Sequence, residues 1–173
     1  MDHIRLGDSG LYVSRLALGT IPFGSGGGME EIAGLDDAAA TRQLETALER
    51  GVNFVDTANI YNGGDSEKVL GRILGRHREE IVLTSKTRTA VGDGPNDSGA
   101  SRLHLTRALE DSLRRLDTDH LDLMYLHQWD GQTPIRETIE TMAELIRAGK
   151  IRYWGVSNYS GWQLAKTVYE ARL

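Results

Sequence analysis

The sequence predicts an α/β fold of repeated strand-helix units around a parallel sheet. Short β-rich runs alternate with longer segments of helical period. The strands recur about every 30 to 40 residues, which is the length of one strand with its covering helix. Five such units fit either an open doubly wound sheet or most of a barrel, and periodicity does not choose between them.

The units follow in order. Ile4-Arg5-Leu6 and Leu11-Tyr12-Val13 flank Gly7-Asp8-Ser9-Gly10 and predict a hairpin ahead of the first unit, which in a barrel would plug one end. The five strands are expected at Leu16–Gly19, Asn53–Asp56, Ile81–Ser85, Leu121–Leu126 and Ile151–Val156. The first helix is expected over Asp36–Arg50, stopping at Gly51, and a short second one after Ser66. The third spans Ser101–Leu116 with Leu105, Leu109, Ser112, Leu113 and Leu116 inward. In the fourth, Thr133 is read as the cap, Pro134 as the first helical residue, Ile135, Ile139, Met142 and Ile146 as the apolar stripe, and Gly149 as the stop. Ser160 and Gln163 open the fifth in capping-box spacing. Gly24-Ser25-Gly26-Gly27-Gly28 and Gly92-Asp93-Gly94-Pro95 read as flexible loops. No composition break divides the chain, so one domain over residues 1–173 is expected.

Composition narrows the function. An apolar fraction of 39% with 26% charged residues is that of a globular protein with a core. The formal charge of -5, without a run of basic residues, speaks against nucleic acid as a partner and against a polybasic membrane anchor. No apolar run approaches the roughly 18 residues needed to span a bilayer, so no membrane partner is expected. The absence of cysteine excludes disulfides and thiolate ligation, and fits a cytoplasmic location. No spacing of the His-Glu-x-x-His kind argues for a metal. Gly155-Val156-Ser157-Asn158-Tyr159 lacks the last glycine of a nucleophile elbow, and no phosphate-binding Gly-Lys-Ser/Thr loop is present.

In a parallel βα fold, the C-terminal ends of the strands and the loops after them converge on one face. Four polar groups fall there: Asp56 ends the second strand, Tyr61 lies five residues on, Lys86 ends the third and His127 ends the fourth. Singly, each has an ordinary reading as a cap, a half-buried aromatic, a solvated charge or a structural histidine. Their joint placement on one rim points to chemistry.

The motifs that carry these residues resemble the aldo-keto reductases. They are Leu18-Gly19-Thr20, Gly51-Val52-Asn53-Phe54-Val55 with Asp56-Thr57-Ala58-Asn59-Ile60-Tyr61, Thr84-Ser85-Lys86, Leu121 to His127, and Gly149 to Asn158, in the family's order along nearly the whole chain. The resemblance implies a (β/α)8 TIM-barrel type of fold, truncated here to about five βα units behind the N-terminal hairpin. It implies reduction of an aldehyde or ketone by NADPH, with NADH as an alternative, and Tyr61 as general acid. A free phenol, with its ordinary pKa near ~10, is a weak acid. An ammonium at Lys86 would stabilise the phenolate left behind, Asp56 would hold the ammonium, and His127 would bind the carbonyl oxygen. Gly19, Thr20, Asp56, Ser157 and Asn158 are the implied cofactor contacts. Phe23, Trp129 and Tyr125, with Tyr61 and His127, are expected at the substrate. Gln128-Trp129-Asp130 departs from the family's more frequent tryptophan directly after the histidine. By the same resemblance, the aromatic that stacks on the nicotinamide and the basic loop for the adenosine phosphate fall outside residues 1–173. The outer strands would then expose edges, and two readings stay open: two or more chains associate through them, or the chain is a fragment of a longer gene product. A second class stays open: a catalytically impaired barrel fragment or regulatory subunit resembling the channel-associated branch.

Overall fold

The structure is a computed structural model that describes residues 1–28 and 31–172. It opens with an antiparallel hairpin, β1 (His3–Arg5) and β2 (Tyr12–Ser14), in which Ile4 pairs with Val13 and Arg5 with Tyr12. Five parallel strands follow in chain order: β3 (Ala17–Gly19), β4 (Phe54–Asp56), β5 (Val82–Thr87), β6 (Leu121–Leu126) and β7 (Ile151–Val156). The helices between and after them are α1 (Asp37–Glu49), α2 (Asp65–Leu74), α3 (Arg102–Leu116), α4 (Ile135–Arg147) and α5 (Gly161–Glu170). This is an α/β fold of five βα units, of the TIM-barrel type.

Register decides which side chains share a face, because paired residues on neighbouring strands point the same way. One row runs Gly19, Asp56, Thr84, Leu123, Tyr153, and another runs Lys86, Tyr125, Gly155. The alternate residues Leu18, Val55 and Leu83 face the helices. There Leu44 of α1, Leu70 of α2, Leu105 and Leu109 of α3 and Met142 of α4 complete the buried core. Each buried side chain of this kind contributes about 1.5–3 kcal/mol against exposure, which is what holds the helices to the sheet.

Local chemistry sets the helix ends. Asp36 accepts from Ala39 N at 2.8 Å and so caps α1, and Gly51, at φ +79°, turns the chain out of it. Ser101 caps α3 at His104 N, and Ser160 with Gln163 forms the capping box of α5. Helix α4 differs from expectation. It begins at Ile135 with Pro134 outside it, because the Thr133 hydroxyl is taken by Asp130 Oδ2 at 2.7 Å and caps nothing. Its buried face is Thr138, Thr141, Met142 and Leu145, while Ile146 is exposed. Two hydroxyls on this face donate to backbone carbonyls: Thr141 to Glu137 O within the helix and Thr138 to Ala100 O just ahead of α3. A pattern that counts only aliphatic residues therefore rotates the stripe. Two short 3₁₀ segments, Tyr61–Gly64 and Gly75–Glu80, were not anticipated.

The hairpin lies across the N-terminal ends of the strands, tied by Ser14 N donating to Asn53 Oδ1 at 2.7 Å and by Asn53 Nδ2 donating to Tyr12 O. An apolar cavity of about 480 Å³ opens between the hairpin, β7 and α5, with Leu6, Tyr153, Trp154, Leu164 and Val168 on its walls. β3 and β7 are the two edges of the sheet. The glycine run after β3 is more than a spacer: a Cβ on Gly27 would lie 2.3 Å from Gly63 N, so the run packs against the chain after β4.

Helices α2 and α3 cross closely at Gly71, where a Cβ would fall 2.4 Å from the Arg115 carbonyl oxygen. Gly71→Val should force the helices apart and lower stability to urea by about 1–3 kcal/mol. An unchanged unfolding midpoint would show that this crossing has slack.

Candidate active site

The C-terminal ends of the strands are stitched together beyond the strands themselves. Thr20 N donates to Asp56 O, Thr57 N to Thr84 O, Asn59 N to Lys86 O, His127 N to Thr87 O and Ser157 N to Leu126 O, all at 2.9–3.1 Å. The loops after β3 and β4 are thus held against the following strand and those after β6 and β7 against the preceding one, and their side chains are delivered to a shared rim.

At the centre stands Lys86, on β5 and only 7% exposed. The strand runs one residue past it, to Thr87, so Lys86 is set by the sheet ladder and not by a loop. An ammonium has three N–H donors and no acceptor. Lys86 Nζ places all three: on Asp56 Oδ2 at 2.6 Å, on Thr57 O at 2.9 Å and on the Tyr61 hydroxyl at 3.1 Å. Because the phenolic oxygen accepts from Lys86, its own proton is left free to be donated elsewhere. The second oxygen of Asp56 accepts from Thr84 Oγ1 at 2.9 Å.

Tyr61 reaches this point because the chain turns sharply after it. Asn62 and Gly63 take left-handed conformations, at φ +53° and +64°. Asn62 Nδ2 donates to Ile21 O and Phe23 O, both at 2.7 Å, which binds the loop after β4 to the loop after β3. The His127 ring meets the Tyr61 ring edge-on, with centroids 6.0 Å apart. His127 Nδ1 is buried without a partner among the described residues. A proton there would be an unpaired buried donor, so the hydrogen-bond inventory assigns the proton of the neutral ring to Nε2. Burial, and then the Lys86 charge, hold the imidazole below its ordinary pKa against the opposing effect of Asp56.

A cavity of about 450 Å³ opens beside this group, with Gly19, Phe54, Asp56, Lys86, Tyr125 and Ser157 on its walls. Burial, followed by the negative charge of Asp56, raises the Tyr125 phenol above its ordinary pKa. Ser157 and Asn158 follow β7 directly. Asn158, at φ +57°, uses its amide nitrogen on His127 O and Ser157 Oγ, so its amide oxygen remains available.

The structure therefore brings Asp56, Tyr61, Lys86 and His127 together, with Gly19, Ser157 and Tyr125 around the adjoining cavity. Asn158 adjoins them through His127 O and Ser157 Oγ, whereas Phe23, Thr20 and Trp129 are placed elsewhere. Phe23 has no exposed surface and belongs to the core under the loop after β3. Thr20 is equally buried, and its hydroxyl is engaged with Ser66 Oγ at 2.9 Å. Trp129 packs edge-on against Tyr159 and Trp162 and is absent from the cavity wall. Sequence reasoning missed three contributors: Thr84, the Thr57 carbonyl and the clamp at Asn62. Only the last had a legible sign, in the turn-forming Asn-Gly-Gly. Arg88, just past β5, carries a strained φ of +97° and a buried Nε without a partner among the described residues.

Fold and rim together define a class, a βα-barrel type of protein with its polar group at the C-terminal ends of the strands. Comparison with known proteins gives the family: the Aldo/keto reductase family profile matches residues 15–173, and the chain belongs to that family. Among curated proteins, the "Uncharacterized oxidoreductase YrpG" of Bacillus subtilis (strain 168) is 41% identical over 99% of this chain and 53% of its own length. A "Probable voltage-gated potassium channel subunit beta" of Oryza sativa subsp. japonica is 38% identical over 96% of this chain and 49% of its own. The "Norsolorinic acid reductase" of Aspergillus flavus is 39% identical over 91% and 42% respectively. The chain spans about half the length of the curated relatives it matches. No helix among the described residues is long and apolar enough to cross a membrane.

The depressed imidazole of His127 has a consequence for stability. Below the ordinary histidine value of ~6.5 the unfolded chain takes up a proton that the folded ring resists. Its contribution is complete above that value and is lost as pH falls from it towards the lower folded value. His104, depressed by burial, acts in the same direction. His127→Gln should therefore make the thermal midpoint fall less steeply on acidification from pH ~6.5. An identical slope in both proteins would contradict the burial argument.

Proposed function

We propose that this site reduces aldehydes or ketones to alcohols with NADPH, Tyr61 being the general acid. The observation that carries the reading is the disposition of the Lys86 donors: the ammonium donates to the Tyr61 oxygen, which frees the phenolic proton for a substrate carbonyl. As that proton leaves, the negative charge forms 3.1 Å from the ammonium nitrogen, between two largely buried side chains. Asp56 keeps the ammonium in place, and the Nε2–H of His127 holds the carbonyl oxygen. Such positioned proton transfer is worth about 10²- to 10⁴-fold in rate.

The residues around the cavity suit a nicotinamide. A Cβ on Gly19 would meet nothing within 4 Å, so the wall there is open backbone. Ser157 and the free amide oxygen of Asn158 offer a hydroxyl and an acceptor to a carboxamide, with Asp56 also at the wall. When bound, the nicotinamide supplies the hydride. The proton comes from Tyr61. Similarity to a reductase and to an oxidoreductase supports redox chemistry; similarity to a channel subunit supports the second reading, a regulatory protein that keeps the site with little turnover. The open edges of β3 and β7 also support association of chains through them, and sedimentation as a compact monomer would remove that option.

The test is NADPH oxidation with 4-nitrobenzaldehyde by the protein and by Tyr61→Phe. The reductase reading expects a loss of about 10²-fold or more. Equal rates would eliminate Tyr61 as the acid, and absence of turnover in both would favour the regulatory reading.

A further inference from the structure

Thr84 sits in the middle of the sheet, directly paired with Asp56 across β4 and β5, with no exposed surface. Its hydroxyl makes one hydrogen bond among the described residues, donated to Asp56 Oδ1 at 2.9 Å. We propose that Thr84 is a positioning residue: its hydroxyl fixes the plane of the Asp56 carboxylate so that Oδ2 meets the Lys86 ammonium, and through that contact it sets where the ammonium stands against the Tyr61 hydroxyl. The proposal rests on Tyr61 being the proton donor.

The torsion that orients a carboxylate is broad and roughly two-fold, so an ion pair with one lysine leaves the carboxylate plane loosely defined. A second donor on the other oxygen defines it. Thr84 is well suited to the task, since a β-branched side chain has few χ1 options and the backbone beneath it is locked by Thr57 N donating to Thr84 O at 3.1 Å. The effect passes on to Lys86 because Nζ has no spare donor. If Oδ2 moves, the ammonium must follow it and lengthen its contact with Thr57 O or with the Tyr61 hydroxyl. A space-filling role alone would make no such demand: valine has nearly the same shape as threonine, and only the hydroxyl distinguishes them.

Thr84→Val and Thr84→Ser separate these roles, each variant first being checked for an unchanged fold by thermal unfolding. With NADPH and 4-nitrobenzaldehyde, Thr84→Val should lower kcat roughly tenfold, the scale of one hydrogen bond to a charged group. Both KM values should stay within about twofold, because a misplaced acid harms the transition state more than binding. Thr84→Ser should restore kcat. Independently of turnover, the Lys86 ammonium should give a protected ¹H–¹⁵N signal in the wild type and in Thr84→Ser, and a weakened or absent one in Thr84→Val. Should the valine variant fail to fold, Thr84→Ala against Thr84→Ser makes the same comparison. Wild-type kcat and an intact Lys86 signal in the valine variant would overturn the proposal, as would a serine variant no better than valine. If the wild type shows no turnover that depends on Tyr61, the reductase reading fails by itself, and the Lys86 signal then decides the role of Thr84.

Discussion

A lysine ammonium nearly sealed from water must find three acceptors, since each unpaired donor would cost on the order of 1–3 kcal/mol. Around Lys86 they come from three different places: the end of β4, the peptide that follows it and the 3₁₀ segment at Tyr61. That requirement joins the geometry of the site to the stability of the fold. The loop after β4 has to turn back at Asn62 for Tyr61 to serve as an acceptor, and the left-handed conformation there is held by two carbonyls of the preceding unit. The chemistry proposed for Tyr61 is thus a by-product of satisfying a buried cation. The phenolic oxygen is the acceptor, so the phenolic proton is the one left over.

Parallel register supplies the rest. Asp56 and Thr84 are cross-strand partners, and Lys86 stands two residues beyond Thr84 on the same face. The carboxylate therefore receives its two donors from neighbouring positions of one strand without help from any loop. His127 and Ser157 arrive by the same logic, each one residue past its strand and each tied by its backbone N–H to the strand before it. Two rows of a sheet and a few peptide bonds account for most of the site. The relatives are about twice as long as this chain.

Much of this was legible before any coordinates. β6 and β7 fall where the β-rich runs of Leu121–Leu126 and Ile151–Val156 place them, because each run is bounded by breakers and by helices with clear caps. β5 was read too short: Lys86 and Thr87 are polar, and polarity at a strand end reads as loop although both are buried here. The stripe of α4 was misplaced for a related reason, as Thr138 and Thr141 bury their methyl groups while their hydroxyls bond to backbone carbonyls. At the rim, charge and spacing singled out the four residues that meet. Aromatic character was a poor guide, because Phe23 and Trp129 are hydrophobic enough to pack elsewhere and do. Thr84 stood in the motif Thr84-Ser85-Lys86 without a role, since a threonine inside a β-strand is unremarkable until its partner is known.

The central claim is that Asp56, Lys86 and Tyr61 act as one unit organised by the ammonium. A double-mutant cycle on Asp56→Asn and Lys86→Met, read as the single-turnover rate of carbonyl reduction, tests it most directly. If the unit exists, each single change abolishes the same arrangement, and the double variant should be no slower than the worse single variant by more than about threefold. Losses that multiply would mean that the two residues contribute separately and would contradict the account.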